Sequence, residues 1–282
     1  ANMDKIEKQK NIYKILCIIL LIILIVVLVM WGHSILVEKS AAKTYEKLQE
    51  SVNSDASDTK TQASETEQQS TQVSENAGDT ETDSHKEQYD IQQKNLDWEE
   101  LEAVNPDIYA WIYIPNTNID YPVLQRSGDN DYYLEHNLDG SRGKPGCIYT
   151  EDLNSKEFTD YNTVIYGHNM KSGAMFRTLH DFEDKSFFDN NQYVYIYTKD
   201  RTLVYKIFAA YTNDAKHILN SNDFTSEQGL SDYLEKVFKK AQAEGYLRDD
   251  VAVTGENAIL TLSTCTTSSD KRYIVQAVLV NE

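Results

Sequence analysis

The stretch ILTLSTCTTSSDKRYIV, residues 259–275, decides the fold. Its ends are apolar, and the six polar residues 266–271 divide them, the pattern of two strands joined by a loop. Pairing 257–264 with 272–280 as an antiparallel hairpin in the symmetric register sets Cys265 opposite Arg272 and Ser263 opposite Ile274. Directly opposed residues share a face, with Cβ atoms about 5 Å apart. Alternation sends Leu260 and Leu262 to the other face, so Ser263 and Cys265 point together. A slip of one residue would separate Cys265 from Arg272.

Outward from this hairpin, six more segments rich in Tyr, Ile and Val are set off by Asn, Asp, Gly and Pro: 109–114, 119–124, 146–150, 162–166, 192–198 and 202–211. One helix interrupts them. Leu230, Tyr233, Leu234, Val237, Phe238 and Ala241 follow helical spacing, Thr225 and Gln228 have capping-box spacing, and Gly245 stands where the helix would close. "NLDWEELEAVNP" reads as a short helix ending before Pro106. Eight short strands with few helices predict a mainly β protein closed as a barrel.

The N-terminal third has a different character. Ile15–Met30 carries no charge, and extension to Val37 gives 23 mostly apolar residues, enough to cross a bilayer core of about 30 Å. A cleaved signal peptide has a shorter core of about 7–15 residues, so the length favours an uncleaved anchor. Lys5, Lys8, Lys10 and Lys14 precede the span and place the N-terminus in the cytoplasm. After a short helix near 38–50, the chain to residue 88 has almost no large apolar residue, and 49–88 carries a net charge of −8. Such a composition reads as a disordered acidic tether. The expected organisation is a cytoplasmic 1–14, a transmembrane 15–37, a helix and tether over 38–88, and an extracellular domain over 89–282. The net charge of the whole chain, −18, argues against nucleic acid as a partner.

Three cysteines, Cys17, Cys147 and Cys265, are too few for a disulfide framework. Cys147 begins a strand without a partner motif and reads as packing. Cys265 is open to two readings, a small buried hydrophobe or a nucleophile. In the second, Arg272 would favour the thiolate or donate to an oxyanion, and a histidine would protonate a departing amine. Of six histidines, His168 in "NTVIYGHNMKSGAMF" follows a strand through a glycine and opens a polar loop; His136 in "YLEHNLDG" is the next candidate by position. Spacing leaves the choice between core cysteine and nucleophile undecided.

With those residues in view, the chain from about 96 to 282 resembles a class B sortase. "NPDIYAWIYIPNTNIDYPVLQ", "DNDYYLEHNLDG", "VIYGHNMKSGAMF" and "LTLSTC…KRYIV" stand in that family's order. The resemblance implies an eight-stranded sortase-type β-barrel with N-terminal helices and a helix between strands 6 and 7. It implies Cys265 as nucleophile, His168 as general acid and base, and Arg272 as the oxyanion and substrate-backbone arginine. Ser263, Tyr166, Asn130 and Leu134 match groove positions, and neither a metal nor another cofactor is implied. The implied reaction cleaves a C-terminal sorting motif of NPxTx or SPxTx type after Thr and transfers a secreted protein to a peptidoglycan amine. Two alternatives stand beside it: a pilin polymerase with a protein lysine as acceptor, and a non-catalytic tethered wall-binding module.

Overall fold

The protein is described by a computed structural model covering residues 2–54 and 91–281. Its helices and strands, in chain order, are α1 (Asn2–Asn53), α2 (Trp98–Val104), β1 (Ile108–Tyr113), β2 (Asp120–Leu124), α3 (Tyr132–Glu135), β3 (Ile148–Thr150), β4 (Asn162–Tyr166), α4 (Lys185–Asn190), β5 (Tyr193–Tyr197), β6 (Thr202–Asp214), α5 (Ile218–Ser221), α6 (Glu227–Glu244), β7 (Gly245–Leu247), β8 (Ile259–Cys265) and β9 (Lys271–Leu279). The sheet runs β5-β1-β2-β3-β4-β8-β9-β6, and β6 pairs back onto β5, closing an eight-stranded barrel. Pairing is antiparallel except for β2 with β3 and β4 with β8. Closure removes the exposed edges that strands this apolar would otherwise present.

Alternation gives each strand an inner and an outer face. Ile112, Val123, Ile165, Ile207, Leu260, Leu262 and Val275 fill the inside with the rest of the main core. On the outside, α6 covers Val164, Phe208, Ile274 and Val278 with Leu230, Tyr233, Leu234, Val237 and Ala241, the stripe expected from helical spacing. Its N-cap is Ser226, whose hydroxyl accepts from Gly229 N–H at 3.1 Å. Thr225 instead turns its hydroxyl to Asp223. The cap therefore falls one residue later than the Thr225–Gln228 spacing predicts.

A ninth strand, β7, has no counterpart in the sequence expectation. It leaves α6 directly and adds to β6, with Tyr211 opposite Gly245 and Ala209 opposite Leu247. Gly245 has an ordinary extended backbone, but a Cβ there would lie 2.2 Å from the Ala210 carbonyl oxygen. The glycine permits close approach of two strands rather than a left-handed helix end.

Residues 38–53 continue α1 without a break and rest on the barrel. Ala41, Tyr45, Leu48 and Val52 are buried at helical spacing. Tyr45 donates to the Gly146 carbonyl at 2.8 Å and meets the Tyr121 ring edge-on. Gln49 donates to the Asp120 carbonyl, and Asn95 N–H donates to the Val52 carbonyl at 2.9 Å. The apolar run in the first part of the helix, by contrast, is exposed. It is long and apolar enough to cross a membrane. Of the segment read as acidic tether, 55–88 lies outside the described residues, as does His85.

Candidate active site

β8 and β9 pair with Cys265 opposite Arg272 and Ser263 opposite Ile274, the symmetric register. Cys265 ends β8 half-buried. Its carbonyl oxygen accepts from Asn169 Nδ2 at 2.8 Å, and His180 Nε2 lies 3.0 Å from both that oxygen and the Asn169 amide nitrogen. His180 stacks on Tyr273 and pairs through Nδ1 with Glu183 at 2.6 Å. The main chain of Cys265 is thus braced while its side chain stays on the groove wall.

The parallel ladder of β4 and β8 brings the second residue in. Tyr166 pairs with Ser263, so the chain continues through Gly167 to His168 beside Cys265. Gly167 N–H donates to the Ser263 carbonyl, and Thr264 Oγ1 donates to the Gly167 carbonyl at 2.8 Å. A Cβ on Gly167 would lie 2.5 Å from Ile148 and 2.7 Å from Phe176, so only glycine lets the strand end pack this closely. Nε2 of His168 stands 2.7 Å from the Leu134 carbonyl, which can only accept, so that nitrogen carries a proton and Nδ1 is left for exchange. Burial pushes the imidazolium below the ordinary histidine range; the Leu134 carbonyl opposes this, and Lys144 adds to it.

Arg272 donates through Nη1 to the carbonyls of Ser269 and Lys271, at 3.1 and 2.9 Å, so the polar loop itself fixes the guanidinium. Tyr149 feels both Cys265 and Arg272, and burial is the main cause pushing its phenol up.

These residues line one cavity of about 200 Å³, together with Leu134, Tyr149, Tyr166 and Ser263. Tyr149 and Tyr166 stack as cross-strand neighbours, 5.5 Å between rings. Of the residues expected from the sequence, Cys265, His168, Arg272, Ser263, Tyr166 and Leu134 meet here. Asn130 does not line the cavity; its Oδ1 accepts from Asp152 N–H at 2.8 Å and holds the neighbouring loop. His136 lies elsewhere, stacked on Tyr132. Unforeseen members are Glu151 and His217 on the cavity wall, and Asn169, His180 and Glu183 behind the cysteine. Asn169 adjoins His168 in sequence and carried some signal, whereas the others are joined only by the fold.

Known proteins share this arrangement of strands. The sortase-domain family model matches residues 112–280. Sortase B of Listeria monocytogenes is 37% identical over 187 residues, covering 65% of this chain and 74% of that protein. Sortase B of Staphylococcus aureus is 30% identical over 186 residues with the same coverage. Among solved structures, Clostridium perfringens sortase B superposes with a TM-score of 0.59 at 32% identity, covering 65% of this chain and 99% of that one. A Staphylococcus aureus sortase B–substrate complex gives 0.58 at 30% identity, covering 65% and 84%.

Proposed function

This chain belongs to class B of the sortase family, cysteine transpeptidases of cell-wall anchoring, and on that premise we propose that Cys265, His168 and Arg272 carry the transfer. The supporting observation is their convergence on one groove from β8, the end of β4 and β9. The Cys265 thiolate attacks the carbonyl after Thr in an NPxTx or SPxTx sorting motif. Arg272 donates to the oxyanion that forms, a charge-assisted contact from a fixed fork. As the C–N bond breaks, His168 gives a proton to the departing amine, leaving a thioester. A peptidoglycan amine then attacks the thioester, His168 takes its proton, and the C–S bond breaks to restore the thiolate.

The substrates are secreted proteins bearing the sorting signal, and the acceptor is an amine on a peptidoglycan precursor or crossbridge. The apolar span at 15–37 anchors the enzyme in the cell membrane with the barrel outside, close to both partners. Holding enzyme and acceptor at one surface raises their encounter frequency without new contacts.

The test is incubation of the full chain with quenched NPQTN- and SPKTG-type peptides, with and without an added amine, read by mass spectrometry. The expected products are a Cys265 acyl-enzyme and a peptide joined to the amine. No cleavage across the panel, or undiminished cleavage by Cys265→Ala, overturns the reading. Transfer to a lysine ε-amine but not to peptidoglycan amines would make the protein a pilin polymerase instead.

A further inference from the structure

β4 ends at Tyr166, yet a side chain carries its ladder with β8 one step further. Gly167 N–H donates to the Ser263 carbonyl at 3.2 Å. Two residues on, the Cys265 carbonyl faces the same edge, where a continuing parallel strand would present the N–H of residue 169. The chain has turned away by then: the His168 carbonyl accepts from Phe176 N–H at 3.0 Å, and Asn169 bridges to Met175. Asn169 reaches back instead and fills the place with its Nδ2, 2.8 Å from the Cys265 carbonyl oxygen.

The surroundings of that amide fix which way it faces. An oxygen in the place of Nδ2 would meet the Cys265 carbonyl oxygen, acceptor against acceptor, so the nitrogen belongs there. One amide hydrogen goes to Cys265, and the other points to His180 Nε2, 3.0 Å away. That ring nitrogen is therefore bare, and the imidazole proton lies on Nδ1. Nδ1 in turn donates to Glu183 Oε1 at 2.6 Å. Tyr273 stacks on the ring, which is 11% exposed. The Glu183 carbonyl accepts from the Tyr246 hydroxyl at 3.0 Å, so β7 anchors the 3₁₀ helix Arg177–Glu183 that carries the pair. Glu183, His180, Asn169 and Cys265 form one directed chain of hydrogen bonds.

We propose that Asn169 is a positioning residue for the transfer. It ties the strand end carrying His168 to the strand end carrying Cys265, and Glu183, acting through the tautomer of His180, keeps its amide turned to do so. This rests on the transpeptidase reading above. Asn169 follows His168 directly, so a loose Asn169 lets the acid and base drift from the nucleophile. Misalignment of reacting groups costs rate rather than substrate affinity.

The experiment has two readouts. With ¹⁵N-histidine in the full chain, in detergent micelles, ring-nitrogen shifts give the tautomer of His180, and His180→Gln identifies its signals. The wild type should show a protonated Nδ1 and a bare Nε2. Glu183→Ala should return the ring to the Nε2–H form that a free imidazole prefers. In peptide cleavage, Asn169→Leu is nearly the same size as the wild type but has no hydrogen to give. Melting like the wild type, it should lower kcat by about tenfold, the worth of a hydrogen bond to a shielded carbonyl. KM should stay within about twofold. Glu183→Ala should lower kcat by about threefold and cost nothing more in the Asn169→Leu background, because both act through one contact. A wild type with the proton on Nε2 overturns the proposal. So does an Asn169→Leu variant that cleaves like the wild type, or whose loss is confined to KM, and either result leaves the transpeptidase reading standing. Absence of any cleavage by the wild type overturns that reading and the role of the tie together. If Asn169→Leu fails to fold, Glu183→Ala takes its place, and a changed tautomer with unchanged kcat overturns the proposal.

Discussion

Cys147 immediately precedes β3 and Cys265 ends β8, and the barrel treats them in opposite ways. Cys147 is 1% exposed, beneath α1. Its backbone N–H is tied to Tyr133, and its thiol faces the His136 carbonyl and the Tyr45 phenol. Burial pushes that thiol up to about 12. Cys265 is half-exposed on a groove, with its main chain braced and Arg272 across the ladder. A difference in reactivity between them would come from the surroundings, since the residue type is shared.

The largest test of the contrast is substitution. Cys265→Ala should lower peptide cleavage and transfer by about four orders of magnitude or more. Cys147→Ala should leave kcat/KM within about threefold while costing about 1–2 kcal/mol in a denaturation experiment. Equal losses of rate in the two variants would erase the distinction.

Arg272→Ala should reduce kcat by about 10²–10³, the usual loss on removing an oxyanion donor. Arg272→Lys should recover only part, because an ammonium lacks the planar fork that the loop carbonyls hold. Full activity in the lysine variant would mean that charge alone suffices.

Alkylation of the full chain at pH 8, followed by peptide mass spectrometry, should modify Cys265 at least about a hundredfold faster than Cys147. Preferential labelling of Cys147 would reverse the assignment.

A smaller effect is expected in pH dependence. Because burial disfavours the imidazolium of His168, its folded pKa lies below its unfolded value. In Cys265→Ala, NMR titration should place its midpoint below the ordinary value of about 6.5. By linkage, any stability from this shift is present above the unfolded pKa and lost as pH falls through the folded one. In the intact enzyme kcat/KM should be bell-shaped, and a rate climbing steadily through alkaline pH would contradict a paired Cys–His mechanism. Smallest of all, His180→Phe keeps the stack on Tyr273 but removes the ring nitrogen that contacts the Cys265 carbonyl and the Asn169 amide. It should slow acylation by about fivefold, the worth of one ordinary hydrogen bond. An unchanged rate would show that Asn169 braces the cysteine alone.

What the chain disclosed in advance was whatever is local or periodic. The hairpin followed from two apolar strands around a polar loop, its register taken as the symmetric one that the ladder shows, and the α6 stripe from its spacing. β7 escaped notice because three residues after a helix carry no alternation of their own. The docking of Tyr45, Leu48 and Val52 was hidden in a polar background, where a narrow apolar stripe resembles an ordinary exposed helix. Glu151 and His217 are separated by 66 residues, and only the closure of the barrel brings them together. Long-range polar pairs leave no periodic trace in a sequence.

The seat of α1 on the barrel also changes what the stretch 55–90 does. Val52 on one side and Asn95 on the other are joined by a hydrogen bond, and Ile91 packs against the main core. The stretch therefore begins and finishes on the same body. It is an excursion, and its length does not determine how far the groove stands from the apolar span. That height is set by the seat of the helix, which starts at the end of the apolar span itself: a Cβ on Gly143 would lie 3.3 Å from Val37, and Ala41, Tyr45, Leu48 and Val52 are buried beyond it. Lengthening the stretch between Val52 and Asn95 would therefore leave the reach of the enzyme unchanged.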